Sequence, residues 1–178
     1  KINAVRLINV NYNNNANLIS DEILYFNGES TLISLQNGGG KSVLVQMLTA
    51  PFVHSRYRNA KDRPFESYFT TAKPSFILVE WALDQGAGYV LTGLMVRKAQ
   101  DMQEDTKENL EIIGIISDYQ ESCIQDIRHL PVVEKGKKEM ILKNFNSCRQ
   151  LFESYKKDRD MKFFYYDLTN YAQSRQYF

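Results

Sequence analysis

A run of three glycines followed by lysine and serine constrains this chain more than any other feature. The glycines at 38–40 stand between an apolar segment, residues 31–35, and a second apolar segment that begins at Val43. Glycine tolerates backbone conformations in which successive amide groups turn inward. A helix that begins directly after such a loop adds the partial positive charge of its N-terminus. The sequence therefore predicts a loop that binds a polyphosphate.

The residues around the glycines supply the remaining chemistry of that loop. A lysine at this place reaches the β and γ phosphates, and a neighbouring hydroxyl binds Mg²⁺. Leu35 stands where the pattern GxxxxGK(S/T) has its first glycine, a departure that ordinary strand geometry at Leu35 tolerates. The alternative is a glycine-rich turn that only happens to precede lysine and serine. We predict ATP and Mg²⁺ as cofactors, Lys41 as the catalytic residue, Ser42 as the Mg²⁺ ligand, and these nucleotide-binding residues: Asn37, Gly38, Gly39, Gly40, Lys41 and Ser42.

Length and composition limit the class of protein. A chain of 178 residues forms one domain or one lobe, and its 43% hydrophobic content supports a real core. A formal net charge of +1 excludes a strongly basic nucleic-acid-binding protein, although a local basic patch is still allowed. No apolar run reaches the roughly 18 residues of a membrane span, and no signal peptide is evident, so we expect a cytoplasmic protein without a membrane partner. Cys123 and Cys148 are predicted to be reduced thiols, and His54 and His129 to be ordinary histidines.

Hydrophobic periodicity predicts an α/β fold: an antiparallel β-meander and hairpins beside a core sheet, with the helix that follows the glycines packed against it. Asn27-Gly28 is the strongest hairpin signal, and residues 98–111 are predicted to form a solvated loop. The predicted strands lie at 1–12, 23–26, 31–35, 75–83, 89–97, 112–116 and 161–166, and the predicted helices at 43–48, 148–157 and 168–178.

The first fifty residues resemble a known family. The run Leu35-Gln36-Asn37-Gly38-Gly39-Gly40-Lys41-Ser42 is similar to the x-x-N-G-x-G-K-S loop of SMC proteins and related double-strand-break repair ATPases, which also open with a small meander. The run Tyr89-Val90-Leu91-Thr92-Gly93 looks closer to their divergent bacterial branch, the Muk-like and Wadjet-like ATPases. The resemblance implies a P-loop NTPase fold of the ABC type, with residues 1–178 forming the N-terminal half of an ATPase head.

The resemblance also implies partners and a cycle. In this family the signature motif and the acidic Mg²⁺ motif lie in a C-terminal half-head beyond a coiled coil, and this chain has no LSGGQ-like segment. Two heads close on two ATP molecules as a homodimer, with accessory subunits and DNA as further partners. The process served would be chromosome maintenance, repair or defence against plasmids or phage, in the nucleoid. The predicted helix 168–178 has no stop signal and would lead into the coiled coil. Candidates for the family's glutamine loop are not distinguished from one another: Gln120, Gln125, Gln173 and Gln176.

A basic and aromatic segment follows the predicted phosphate-loop helix. Clustered cations contact phosphates and aromatic rings stack on bases, and the resemblance implies an arginine-bearing loop here, near nucleotide and DNA. The alternative is a solvated segment whose aromatic side chains lie in the core. The predicted DNA-binding residues are Arg56, Arg58, Lys61 and Arg63, interleaved with Tyr57, Phe65, Tyr68 and Phe69.

Two carboxylates offer rival interpretations. Asp167 follows four aromatic residues, in the outline of an acidic Mg²⁺ motif, but an aspartate there is more typical of a cap for the helix predicted after it. Metal binding by Asp167 would make the chain a self-contained small NTPase or kinase. Glu80 lies within a predicted strand, so we expect it to face solvent. A third possibility is a DNA-binding scaffold lobe whose nucleotide only fixes its shape.

Overall fold

The computed structural model describes residues 1–12, 15–53, 63–99 and 110–165. Two short 3₁₀ turns, Phe65–Tyr68 and Asp84–Gly86, lie between the main elements. In chain order the main elements within these ranges are β1 (Ile2–Tyr12), β2 (Asn17–Tyr25), α1 (Lys41–Thr49), β3 (Ser75–Ala82), β4 (Tyr89–Lys98), β5 (Leu110–Tyr119), β6 (Val133–Lys135), β7 (Met140–Leu142), α2 (Phe145–Asp158) and β8 (Lys162–Tyr165).

Six of these strands form one antiparallel sheet in the order β2-β1-β3-β4-β5-β8. Because β2 and β3 both pair antiparallel with β1, they run in the same direction, and the chain that joins them must cross one face of the sheet. That crossover contains α1. The strands β6 and β7 form a separate two-stranded hairpin. The mixed α/β class and the antiparallel hairpins are therefore as predicted.

One face of the sheet packs against α1. Ile77 and Val79 of β3 point to this side, together with Leu94 of β4. Since every second residue of a strand faces the same way, each strand contributes alternate side chains to this core. The crossover covers these residues with apolar side chains of α1 and of the segment that follows it: Val43, Leu44, Met47, Phe65, Tyr68 and Phe69. We call this the α1 face.

The other face packs against α2. Phe76 and Leu78, the alternate residues of β3, point to this side. The ring of Phe152 meets that of Phe76 edge-on, with 6.3 Å between the centroids. Spacings of three and four residues place the buried side chains of α2 on one stripe, and these are Phe145, Cys148, Phe152 and Tyr155. We call this the α2 face. Both cysteines are free thiols, as predicted, and burial raises the pKa of Cys148 to about 12.

Most of the predicted elements are confirmed within the described ranges. The strand at 1–12 and the hairpin formed by β3 and β4 lie where the alternation places them. The strands at 112–116 and 161–166 and the helix at 148–157 also form, with shifted ends. The helix predicted at 168–178, Asp167, Gln173 and Gln176 lie outside the described residues, as does most of the loop predicted at 98–111.

The region around Asn27 differs from the prediction. Asn27 and Gly28 adopt left-handed conformations, with φ of 53° and 69°, and form a turn, but no strand follows them. Residues 31–35 belong to no strand, and the side chain of Leu32 is 92% exposed. A strand needs a neighbour for its backbone hydrogen bonds, whereas periodicity reports only which side chains are apolar. The second strand also begins earlier than predicted, at Asn17, so the β1–β2 hairpin extends the main sheet and the described residues contain no separate core sheet beside it.

Glu80 does not face solvent, contrary to the prediction. It is 6% exposed, and its carboxylate accepts hydrogen bonds from Asn3 Nδ2 at 2.6 Å and from the Tyr119 hydroxyl. Burial, followed by the contact with Glu80, raises the pKa of Tyr119 far above its usual range. The prediction failed because β3 is covered on both faces. A buried carboxylate persists when it is hydrogen-bonded in this way.

Trp81, the single tryptophan of the chain, joins the sheet to the end of α1. Its indole N–H donates to Thr92 Oγ1 at 2.9 Å. Its ring meets that of Phe52 edge-on, with 5.9 Å between the centroids, and Phe52 N donates to the carbonyl of Thr49, the last residue of α1. The contact therefore links β3 to the point where the crossover leaves α1.

Candidate functional site

The glycine run forms a tight turn that leads into α1. The amide of Gly39 donates to the carbonyl of Gln36 at 3.0 Å, which closes a turn over residues 36–39. Gly38 and Gly40 adopt positive φ values of 82° and 88°, conformations that a side chain would strain. Glycine therefore stands at both positions of the turn that need a positive φ, and the helix predicted after the loop forms, as α1.

The first turn of α1 is not closed by the protein's own side chains. Gly40 is the N-cap and offers no side chain, and the first turn contains no acidic residue. The first amides of a helix have no acceptor within the helix, and its dipole places partial positive charge there. An anion at this helix start would therefore meet both backbone donors and a favourable field.

Lys41 is folded back over the loop. Its ammonium group donates to the main-chain carbonyl of Leu35, the residue that replaces the expected first glycine. Lys41 and Ser42 are both exposed at the start of α1. The loop thus holds a positive charge and a hydroxyl beside the open helix start, as phosphate and Mg²⁺ binding require.

These groups surround a cavity of about 260 Å³ lined by Tyr12 and by residues 36–43. Tyr12, the last residue of β1, is the contribution that sequence analysis missed. A Cβ atom built on Gly40 would lie 3.8 Å from the Tyr12 ring, so the ring packs close to the loop. Small-molecule sites usually measure about 300–1,000 Å³, so this cavity suits the phosphates of a nucleotide better than the whole molecule.

Apolar side chains lie exposed around the same loop. Leu32 is 92% exposed, Leu35 41% and Val45 of α1 60%. Exposed apolar side chains mark an interaction site where they form a continuous patch. The segment before the loop therefore presents apolar side chains and belongs to no strand.

The predicted DNA-binding residues are only partly described. Arg56, Arg58 and Lys61 lie outside the described residues, and so does Tyr57. Arg63 is engaged within its own chain: Nε donates to Ser67 Oγ at 2.9 Å, and Nη2 donates to the carbonyl of Asn11 at 3.3 Å. The aromatic residues that follow it, Phe65, Tyr68 and Phe69, lie in the core of the α1 face. DNA binding by the basic segment stays a prediction.

A second polar cluster lies in the turn after β5. The carboxylate of Asp126 accepts from the amides of Cys123 at 2.9 Å and His129 at 2.7 Å, and it contacts the His129 ring. Burial acts to raise the pKa of Asp126, but hydrogen bonds from His129, Cys123 and Ser122 outweigh it and lower the pKa below 3.8. Its bonds are used to close the turn, so the cluster is structural.

Over the described ranges, no group of three or more His, Cys, Asp or Glu side chains could hold a metal ion. Among the helices that the structure describes, none combines the length and the apolarity needed to cross a membrane.

No protein-family model matches this chain, and a search of the curated proteins found no match. Its function is therefore inferred from the glycine loop, the start of α1 and the side chains around them.

Proposed function

We propose that this chain is the ATP-binding N-terminal lobe of an SMC-like ATPase head that acts on DNA. In this proposal the backbone of residues 37–40 cradles the phosphates, Lys41 neutralises the β and γ charges, and Ser42 holds Mg²⁺. The observation that carries the proposal is the start of α1, where two left-handed glycines precede an uncapped helix and Lys41 turns onto the loop.

In this proposal phosphate binding releases the Gly39 amide from the carbonyl of Gln36 and the Lys41 ammonium from that of Leu35. The Lys41 ammonium, now on the carbonyl of Leu35, would exchange that acceptor for a phosphate oxygen. A bond between an ammonium and a phosphate is charge-assisted, so it is stronger than one to a carbonyl. The cavity would hold the phosphates, and the nucleoside would extend beyond it.

The exposed apolar residues before the loop support a partner lobe. A second lobe that paired with residues 31–35 would extend them into a strand and cover Leu32 and Leu35. In an SMC-like head this lobe is the chain's own C-terminal half-head, which also brings the signature and acidic motifs. The P-loop NTPase fold would then be completed by that lobe, and two such heads would close on two ATP molecules. Hydrolysis would reopen them and drive action on DNA.

Calorimetric titration of the purified chain with MgATP tests the proposal. Lys41→Ala removes charge-assisted bonds, so we expect binding to weaken about 10- to 100-fold. Lys143→Ala is the matched control, because this lysine stands just before α2 and lines a different cavity. It should leave the affinity unchanged. Wild-type chain that takes up no MgATP would rule the proposal out.

A turnover assay separates the proposal from the self-contained NTPase. Half of the catalytic groups lie elsewhere in the proposed head, so the chain alone should hydrolyse ATP slowly. Fast turnover that is abolished by Asp167→Asn would favour the self-contained enzyme instead. MgATP binding that Lys41→Ala abolishes, with DNA binding unchanged in the same variant, would favour the scaffold.

A further inference from the structure

Glu80 is a buried charge without a cation beside it. One carboxylate oxygen accepts from Asn3 Nδ2 and the other from the Tyr119 hydroxyl, and both donors are uncharged. That hydroxyl accepts from the amide of Ile127 at 3.2 Å, so its own proton is directed to Glu80. Among the residues that the structure describes, no cation forms an ion pair with Glu80. Buried charges are ordinarily paired, because hydrogen bonds from neutral groups offset only part of the cost of leaving water.

Arg6 shows how the same sheet compensates a buried charge elsewhere. Ala4 stands opposite Glu80 in the register, so Arg6, two residues further along β1, faces the same side of the sheet. Arg6 is also 6% exposed, but Asp21 accepts from its Nε at 2.8 Å and from its Nη2 at 2.7 Å. The buried cation of β1 is therefore already paired, and it does not neutralise Glu80.

Glu80 lines a cavity of about 270 Å³ at the end of the sheet where β1 begins. The rings of Tyr89 and Tyr119 form part of its wall, with 6.1 Å between their centroids. The carboxylates of Glu121 and Asp126 also line it. The face of an aromatic ring attracts a cation, and nearby carboxylates add to that attraction. The wall thus combines two features that favour a positively charged ligand.

The lining of this cavity carries more negative than positive charge. Arg128 is the one cation among the described residues that line it, against three carboxylates, and its guanidinium lies over the ring of Tyr25, 4.9 Å from the centroid. The described carboxylates are not grouped closely enough to hold a metal ion. The volume is just below the roughly 300–1,000 Å³ of common small-molecule sites, so it suits an organic ligand about as large as an amino acid.

We propose that this cavity binds a small organic cation, an aliphatic amine or guanidine, whose charged group pairs with Glu80 and packs against the rings of Tyr89 and Tyr119. Each oxygen of Glu80 accepts one hydrogen bond from the chain, and a carboxylate oxygen accepts two. The ligand therefore binds without displacing either donor. Asn3, beside this cavity, and Tyr12, beside the phosphate loop, stand at opposite ends of β1, so the two sites are separate.

Calorimetric titration of the purified chain with agmatine tests the proposal, because agmatine is an aliphatic chain with a guanidinium at one end and an ammonium at the other. Glu80→Gln removes the charge and keeps the shape of the side chain, so we expect affinity to fall at least about tenfold. Tyr89→Leu should lower it about three- to tenfold through loss of the ring, whereas Tyr89→Phe keeps the ring and should retain the affinity. The uncharged alcohol n-pentanol, of similar length, should not bind measurably.

Glu134→Gln is the matched control, because this glutamate is exposed on β6 and lines a different cavity. It should leave the affinity for agmatine unchanged. Equal affinity for agmatine in the wild-type chain and in Glu80→Gln, or no uptake by the wild-type chain, would overturn the proposal. If circular dichroism shows that Glu80→Gln does not fold, equal affinities in Tyr89→Leu and Tyr89→Phe would overturn it instead.

The same variants keep this proposal apart from nucleotide binding. Glu80→Gln should bind MgATP as the wild-type chain does, and Lys41→Ala should bind agmatine as the wild-type chain does. A loss of agmatine binding in Lys41→Ala would place the amine at the phosphate loop and overturn the separate site. A chain that binds agmatine but no MgATP would support the cavity and rule out the proposed function.

Discussion

The two helices of this chain begin in opposite ways. At the start of α2, Asn144 Oδ1 accepts from the amide of Ser147 at 2.8 Å, so a side chain closes the helix. At the start of α1, Gly40 has no side chain and no cap replaces it. A capped start is satisfied by its own sequence, whereas an open start is stable only with water or a ligand as acceptor.

The two helices also differ in how far the apolar side chains around them are buried. The stripe of α2 is covered by the sheet, and Phe152 is fully buried. Near α1, Leu32 and Val45 are exposed although they are apolar. These differences indicate that α2 is closed by its own cap and by the sheet, whereas the start of α1 and the segment before it are open, as the proposed phosphate and partner-lobe contacts require. Substitutions on the two sides should therefore separate stability from binding.

The largest stability effect is expected from Phe152→Ala. Removing a fully buried ring from the α2 face leaves a cavity and should lower the free energy of unfolding by about 3–5 kcal/mol. Val45→Ala on α1 is the comparison, and we expect a change below about 0.5 kcal/mol because the side chain is exposed. Urea unfolding followed by circular dichroism measures both. Equal losses would mean that Val45 is as buried as Phe152.

Asp126→Asn should lower stability by about 1–3 kcal/mol at neutral pH, because the amide cannot accept all the hydrogen bonds of the carboxylate. The pKa of Asp126 is lower in the folded chain than in the unfolded chain. Its carboxylate therefore stabilises the fold above pH 3.8, and this stabilisation is lost as the pH falls through the pKa of the folded chain. Unfolding of both proteins from pH 7 to pH 2.5 should show the difference closing below pH 4, as protonation removes the carboxylate. A constant difference across that range would contradict the assigned role.

Asn144→Ala removes the cap of α2 and should cost about 1 kcal/mol of stability. It should leave MgATP binding unchanged, since α2 lies on the opposite face of the sheet from the loop.

Ser42→Ala should have the opposite effects: the free energy of unfolding should be unaffected, and the dependence of ATP binding on Mg²⁺ should weaken. Calorimetry and urea unfolding on both variants separate the two. The contrast between the helix starts fails if either variant alters both properties.

The smallest effect is expected from Leu32→Ser. Its side chain is 92% exposed, so the isolated chain should change in stability by less than about 0.5 kcal/mol. Lower self-association in analytical ultracentrifugation would support a role for this surface in binding a partner. A large loss of stability would show that residues 31–35 pack within the chain itself.

Sequence analysis predicted elements whose cause is local. The hairpin of β3 and β4 follows from alternation and glycine-rich turn residues, and the loop at 36–40 follows from glycines that adopt positive φ. It failed where the structure depends on residues that are far away in the sequence. The alternation at 31–35 does not tell whether a strand neighbour exists, and the position of Glu80 does not tell that both faces of β3 are covered.

Tyr12 and Arg63 illustrate the same limit at the candidate site. Tyr12 is far from Lys41 in sequence, and only the path of β1 brings its ring to Gly40. Arg63 belongs to a basic cluster, which suggests phosphate contacts. Its bonds to Ser67 and to the carbonyl of Asn11 depend on where β1 parts from β3.

The edge-on contact between Trp81 and Phe52 has a practical consequence. With a single indole in the chain, ultraviolet excitation at about 295 nm reads one place only, the junction between β3 and the exit of the crossover helix. We expect its emission to shift when magnesium and triphosphate reorganise that helix, while the Phe52→Leu variant should respond less. The molecule thus carries an intrinsic optical reporter with which the proposed nucleotide binding can be followed, and no dye has to be attached.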